Sequence, residues 1–338
     1  MRFGWLCILI LCPLLLGAQE KKHRIVFYNV ENLFDTVDDP VVADEEFTPS
    51  GAKHWTEHRY RDKLSKIARA IRETGGETWP CLVGLAEVEN RSVLNELIKQ
   101  ADLQSGEYGI VHQDSPDSRG IDVAFLYRKS LFRPLDSAFF KINFPTDPGL
   151  TTRDILYVAG VLETDTLHCF VCHFPSMYGG EKKSEWKRIR VAQILRMQVD
   201  SIRKINPAAK IVIMGDLNGK ANTEAQRILG SKSSEQQIYL SDSLYNTGYY
   251  LLGKEYGSYR YRGVWQTLDH IIVSGSLLKE KSRKLRVDKK LTVFFEPFLL
   301  EEDKKNSGNK PRPTYRGPFY IGGCSDHLPI YIDLHYLK

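Results

Sequence analysis

Lys210-Ile-Val-Ile-Met-Gly-Asp-Leu-Asn218 is the stretch on which the fold turns. Ile211, Val212, Ile213 and Met214 form an unbroken apolar run, the mark of a strand covered on both faces. Gly215-Asp216-Leu217-Asn218 then puts a carboxylate and an amide where that strand stops. Turn-forming residue types explain a turn at this point. They do not explain the apolar run that leads into it. In extended geometry residues two apart share a face, so Asp216 and Asn218 are expected to point at one spot.

Other fragments have the same setting. Asn29-Val30-Glu31-Asn32 closes a strand-like run that starts at Arg24. Leu85-Ala86-Glu87-Val88-Glu89 closes the run from Cys81. His173 stands at the end of the run Thr166 to Phe174, and Asp269 lies within Leu268 to Val273. Ser325-Asp326-His327 leads into Leu328 to Leu334. Each polar residue, taken singly, reads as an exposed loop group or a structural histidine. Gathered at strand ends, they are what a metal-assisted attack of water on phosphorus requires. Glu87, with Glu31 and Asp326 as partners, offers hard oxygen ligands. These suit magnesium or manganese, accommodate calcium, and do not favour zinc. Asp216 would orient or deprotonate the water, and Asn218 would donate to phosphoryl oxygens. Asp269 would accept from His327 and fix its tautomer, leaving Asp326 for the metal. His270 reads as a packing residue.

The chain has 338 residues, 42% of them hydrophobic and 26% charged, ordinary values for a globular enzyme. No linker divides it, so residues 19–338 are expected to form a single domain. Residues 1–18 read as a signal peptide: Arg2, the apolar run Trp5 to Leu16, then Gly17-Ala18. The run is short of the roughly 20 residues a membrane span needs. The expectation is therefore export, periplasmic or secreted, with no stable span after cleavage. Losing Arg2 lowers the net charge from +5 to +4. That mild excess suits a polyanionic substrate without the strong basicity of charge-driven nucleic-acid binders. No protein partner is predicted.

The exported compartment permits disulfides among Cys81, Cys169, Cys172 and Cys324. Cys169 and Cys172 lie three apart on a strand and so face opposite sides, and both are expected to be buried free thiols. Helical spacing is clear over Arg59–Glu73, Ser92–Lys99 and Ser184–Lys204. Asp35–His58 reads as a long polar surface loop. Lys279–Lys290 and Glu301–Gly317 read as solvated loops, with a phosphate-binding surface as the functional alternative.

In this order, and over nearly the whole mature chain, the fragments resemble the endonuclease/exonuclease/phosphatase superfamily. It includes secreted deoxyribonucleases, abasic-site endonucleases, sphingomyelinases and inositol polyphosphate 5-phosphatases. The resemblance implies a four-layer α/β/β/α sandwich of two mixed β-sheets flanked by helices, and a divalent-metal phosphoesterase. It implies catalytic roles for His173, Asp216, Asn218, Asp269 and His327. It implies metal ligation by Glu31, Glu87 and Asp326, and substrate-phosphate contact by Asn29. Thr152-Arg153-Asp154-Ile155 also resembles the strand-leading arginine that touches phosphate in the secreted nucleases. Glu31 stands where many members carry Asp, and the loop with His54-Trp55 is longer than in the nuclease branch. Nothing matches a base-reading device. The substrate expected first is nucleic acid or another phosphodiester. A phosphomonoester or a lipid or inositol headgroup is the alternative, and an inactive binding scaffold the remote one. Fold does not choose among them.

Overall fold

The computed structural model describes residues 20–279 and 285–337. The leader expected at residues 1–18 lies outside the described residues, as does part of the Lys279–Lys290 stretch. The first sheet comprises β1 (Glu20–Leu33), β2 (Leu82–Val88), β3 (Tyr108–Val111), β4 (Asp122–Arg128), β14 (Leu285–Val287), β15 (Thr292–Val293) and β20 (Ile330–Leu337). Its order is β14-β20-β1-β2-β4-β3, with β15 also on β20. The second comprises β5 (Phe132–Phe140), β6 (Ile155–Leu162), β7 (Asp165–His173), β8 (Lys210–Asp216), β9 (Ser231–Ser233), β10 (Leu244–Asn246) and β13 (Asp269–Ser274). Its order is β5-β6-β7-β8-β13-β10-β9. Three small hairpins complete the strands: β11 (Tyr259–Tyr261) with β12 (Val264–Gln266), β16 (Leu300–Glu302) with β17 (Asn309–Pro311), and β18 (Tyr315–Arg316) with β19 (Phe319–Tyr320).

The sheets pack face to face: β1 lies across β8 and β13, and β2 across β7 and β8. Val26, Tyr28, Val83, Leu85, Val212, Met214 and Ile271 belong to one buried cluster. Helix α1 (Glu57–Thr74) turns Leu64, Ile67 and Ile71 inward to join that cluster and packs on β1. Helices α2 (Arg91–Leu97) and α3 (Ala101–Gln104) pack against α1. Helix α4 (Glu181–Ile205) puts Val191, Ala192, Leu195 and Val199 on Phe170, Ile211 and Ile213 of the second sheet. The short α5 (Glu224–Leu229) packs on α4. Each fully buried Leu, Ile or Val side chain contributes about 1.5–3 kcal/mol. The result is the four-layer order helix, sheet, sheet, helix.

The central strands explain the continuous apolar runs. Residues 25–30 of β1 are all buried, because α1 covers one face and the second sheet the other. Cys169 joins the cluster between the sheets and Cys172 the cluster under α4, so one strand does send the two thiols to opposite faces. All four cysteines are free and buried. Gly215 permits close pairing of β8 with β7: a Cβ there would lie 2.2 Å from the Cys172 carbonyl oxygen.

Three stretches depart from the sequence expectation. Asp35–His58 is not merely a surface loop, because Phe47 and Trp55 are buried. Phe47 stacks on Phe34 at 4.4 Å between centroids, and the Trp55 ring nitrogen donates to the Phe34 carbonyl at 3.0 Å. Polar composition around two aromatic anchors disguised a segment that docks. Glu301–Gly317 likewise holds most of the β16–β17 hairpin and the first strand of β18–β19 rather than open loop, and within Lys279–Lys290 the strand β14 pairs with β20 and buries Leu285 and Val287.

Candidate active site

Parallel pairing puts the C-terminal ends of β1 and β2 at one edge of the first sheet, and those of β7 and β8 at the same edge of the second. Register then does the rest. His173 is the partner of Asp216 across β7 and β8, and Asp269 is the partner of Asp216 across β8 and β13. In the first sheet Asn29 pairs with Ala86, and the ladder is broken at Glu87, the residue opposite no partner. This bulge turns the Glu87 side chain toward the cleft. Glu31, Asn32, Glu87 and Asn218 all hold left-handed backbone, with φ between 45° and 64°. Non-glycine residues in that region cost of order 1 kcal/mol or more and cluster at functional sites.

Asn29 ties the sheets together. Its side-chain amide donates to Glu87 Oε1 at 3.2 Å and to Asp216 Oδ2 at 3.1 Å, while its Oδ1 accepts from the Glu31 N–H at 3.0 Å. Glu87 Oε2 accepts from the Asn32 N–H at 2.9 Å. Ser325 donates to the Asn29 carbonyl at 2.7 Å and accepts from the His327 N–H at 3.0 Å, which docks the Ser-Asp-His segment onto β1. His327 Nδ1 meets Asp269 Oδ2 at 2.8 Å and turns Nε2 toward Asp216 Oδ2, 3.7 Å away. His173 Nε2 stands 3.7 Å from the same Asp216 oxygen and 3.8 Å from Glu87 Oε1. Asp216 is thus the hub. The sequence-named residues Asn29, Glu31, Glu87, His173, Asp216, Asp269, Asp326 and His327 meet at this edge.

Asn218 differs from expectation. It does not continue the strand, since its φ is 45°. Its N–H closes a turn onto Asp216 Oδ1 at 2.9 Å, and its amide donates to the Phe174 carbonyl at 3.0 Å. The shared-face argument for Asp216 and Asn218 fails because the chain turns between them. Arg153 is buried, with one nitrogen on Asp117 at 2.9 Å and another on the Phe174 carbonyl at 2.8 Å. Its Nε has no hydrogen-bond partner, and it lines a cleft of about 470 Å³ with Arg119, Thr152, Ser176, Tyr178 and Lys187. His270 is a core residue between Asn246 and the Gly219 carbonyl.

Electrostatics follow from burial and neighbours. Burial and the Asp269 charge push Asp216 up to about 7, against the pull of His327 and the amides of Asn218 and Asn29. Burial alone would lower His327, but Asp269, then Asp216 and Asp326, outweigh it and hold the imidazolium well above its ordinary range. Burial, then the positive charges of Arg153 and Arg119, keep His173 neutral. Burial and the Asp326 charge raise Glu31 to about 8, with Lys63 and the Thr314 N–H opposing. Burial, and the charge of Glu87, likewise raise Asp326.

A cation fits this donor set. Glu31, Glu87 and Asp326 are half-buried carboxylates that repel one another, and a divalent ion relieves that repulsion. Among the described residues, the groups whose donor atoms all lie within 4.8 Å of one another are Asp216 with Asp269 and His327, and His112 with Asp114 and Asp122; Glu31, Glu87 and Asp326 stand farther apart than that. In the first of these groups the Nδ1 to Asp269 hydrogen bond already occupies one pair of donor atoms.

Sequence reasoning missed Lys63 and Thr314. Lys63 sits on the buried face of α1 and donates to the Glu31 carbonyl and to Thr314 Oγ1. The Thr314 N–H donates to Glu31 Oε2 at 2.7 Å. A lysine four residues before Ile67 stands on the apolar stripe, and that was the available signal. Thr314 lies in a Pro-rich segment with no such cue.

Such a sandwich, with acidic, amide and imidazole side chains at one sheet edge, defines a phosphoesterase-type hydrolase. The profile of the Endonuclease/Exonuclease/phosphatase family matches residues 24–336, and the chain belongs to that family of metal-dependent phosphoesterases. Solved structures agree on the fold. A family member from Bacteroides thetaiotaomicron superposes with a TM-score of 0.57 at 13% identity, covering 95% of this chain and 97% of that one. D. rerio TDP2, complexed with a single-strand DNA product, gives 0.55 at 16%, covering 93% and 98%. The human Nocturnin catalytic domain with bound sulfate gives 0.54 at 15%, covering 95% and 98%. No curated protein matches the chain.

Proposed function

We propose that this chain is an exported phosphodiesterase, a nuclease in the first instance, that cleaves by in-line attack of water on phosphorus. The observation that carries the reading is Asp216, raised to about 7 and facing both imidazoles at 3.7 Å. A carboxylate poised near neutrality takes a proton from water most effectively at physiological pH.

Glu31, Glu87 and Asp326 would hold a magnesium or manganese ion, which supplies charge neutralisation at the phosphoryl oxygens. Asp216 accepts the proton of the attacking water as its oxygen bonds to phosphorus and the P–O bond to the leaving group breaks. Asn29 holds Asp216 and Glu87 at a set spacing through one amide. The His327 imidazolium, oriented by Asp269, donates through Nε2 to developing negative charge on phosphorus. Neutral His173 donates a hydrogen bond from the opposite side of Asp216. Asn218 acts by fixing the Asp216 carboxylate and the Phe174 carbonyl rather than by touching phosphate. Arg153, on the wall of the cleft of about 470 Å³, is the residue that would meet a substrate phosphate.

Residues 19–338 act as one unit in this reading, and residues 1–18 direct export to the periplasm or beyond. Among the described residues no helix is long and apolar enough to cross a membrane. The test is hydrolysis by the purified mature protein of single- and double-stranded DNA, RNA, a phospholipid and inositol phosphates. Turnover of DNA or RNA supports the proposal. Turnover confined to the lipid or inositol substrates would replace it with the headgroup reading.

A further inference from the structure

A second cleft, of about 570 Å³, opens beside the site between the loop Gly248–Glu255 and the β11–β12 hairpin. We infer that it is the subsite for a nucleobase and its flanking phosphate, with Trp265 as the stacking surface and Lys220 and Lys254 as the phosphate contacts. The inference rests on the nuclease reading above and names the part of the substrate that this side of the site recognises.

The walls of the cleft run directly into the catalytic residues. Lys220 is two residues past Asn218, and Gln266 and Thr267 precede Asp269. Tyr259 of β11 bridges to His327 through the backbone, with ring centroids 4.8 Å apart. These connections are what place the inferred subsite on the Asp216 and His327 side of the molecule. Trp265 is half-exposed, packs on exposed Phe295 at 5.5 Å and takes the Arg260 guanidinium at 5.6 Å. Tyr256, Tyr261 and Leu252 leave further apolar surface exposed nearby. Aromatic surface next to a phosphoester centre is the arrangement that stacks bases without reading their edges.

Polar groups complete the subsite. Lys220 and Lys254 are exposed and make no ion pair or side-chain hydrogen bond with any described residue, set against Glu255 as the acidic side chain of the wall. The Thr267 hydroxyl is buried in the wall with no partner. Arg260, by contrast, is spent. It donates to the Gly263, Ser307 and Asn309 carbonyls and clamps the hairpin to the β16–β17 turn. The platform is thus held rigid while the exposed lysines remain available.

The experiment compares the mature protein with W265L, W265F and K220A/K254A on two oligonucleotides of equal length, one normal and one lacking its bases. On the normal strand W265L should lower kcat/KM by about tenfold or more through KM, and W265F should recover most of it. On the base-free strand wild type and W265L should agree within about twofold on the same stacking argument. K220A/K254A should weaken both strands and flatten the dependence of log K on log salt by roughly 1.4. Equal rates for wild type and W265L on the normal strand, or equal losses on both strands, overturn the inference. Should W265L not fold, an unchanged salt slope in K220A/K254A overturns it. Should wild type cleave neither strand, the nuclease reading fails. Calorimetric titration with a nucleoside 5′-monophosphate then decides the subsite. Binding that W265L loses upholds it, and no binding by wild type removes it.

Discussion

Asp269→Asn removes the largest of the charges that hold His327 as an imidazolium. The Nδ1 to Oδ2 distance is 2.8 Å, and Asp269 is 1% exposed, so water does not replace the lost charge. A hydrogen bond to a charged group contributes about 1.5–3 kcal/mol. At 1.36 kcal/mol per pH unit, that lowers the His327 pKa by roughly one to two units. The sign is definite. Asp269 raises the pKa, so its removal shifts loss of the imidazolium to lower pH. The alkaline limb of kcat/KM should move acidward by about one to two units, and the plateau should fall by roughly 10- to 100-fold on the same energy. KM should change little, because the imidazolium acts on charge that develops in the transition state. The assay is initial rates from pH 5 to 10 on one labelled oligonucleotide, with thermal melting as the control for folding. Asp269→Asn combined with His327→Ala should be no worse than His327→Ala alone. An alkaline limb that stays in place would refute the pairing as the source of the His327 charge.

Lys63→Met leaves Glu31 and Asp326 without their buried counter-charge and should lower unfolding stability by about 3 kcal/mol in chelator. The loss should shrink in millimolar magnesium, and urea melts in both buffers measure it. Asp333 gives a pH prediction far from the site. Burial would raise its carboxyl, but hydrogen bonds from Arg24 and Lys22 outweigh that and hold it below its ordinary value. A depressed carboxylate contributes stability above the unfolded pKa of about 3.9 and loses it as pH falls below. Asp333→Asn should therefore lower stability at pH 7 and flatten the decline of melting temperature below about pH 4.

The sheet edge was legible because its chemistry sits at the ends of unbroken apolar runs. Ile211 to Met214 reads as a strand covered on both faces and Arg24 to Val30 as a first strand, and the polar residues at the ends of such strands meet at one edge. Asp216 stands there in one sheet, and Glu31 with Glu87 in the facing sheet. Side-chain direction was not legible. Asn218 was placed by extended geometry, whereas its left-handed backbone turns the amide onto Phe174. Local turn energetics decided that, and no periodicity records it. Lys63 and Thr314 reach Glu31 from elements distant in sequence, so only tertiary packing reveals them. The docking of Trp55 was hidden because two aromatics among acids and prolines give no periodic signal.

The central claim is that Glu31, Glu87 and Asp326 grip a cation beside a phosphoester that Asp216 and His327 act on. Stepwise chelation of the mature protein on a labelled oligonucleotide, with magnesium then returned, tests it most directly. Activity should vanish with the metal and come back with it. Undiminished cleavage after exhaustive chelation would contradict the claim.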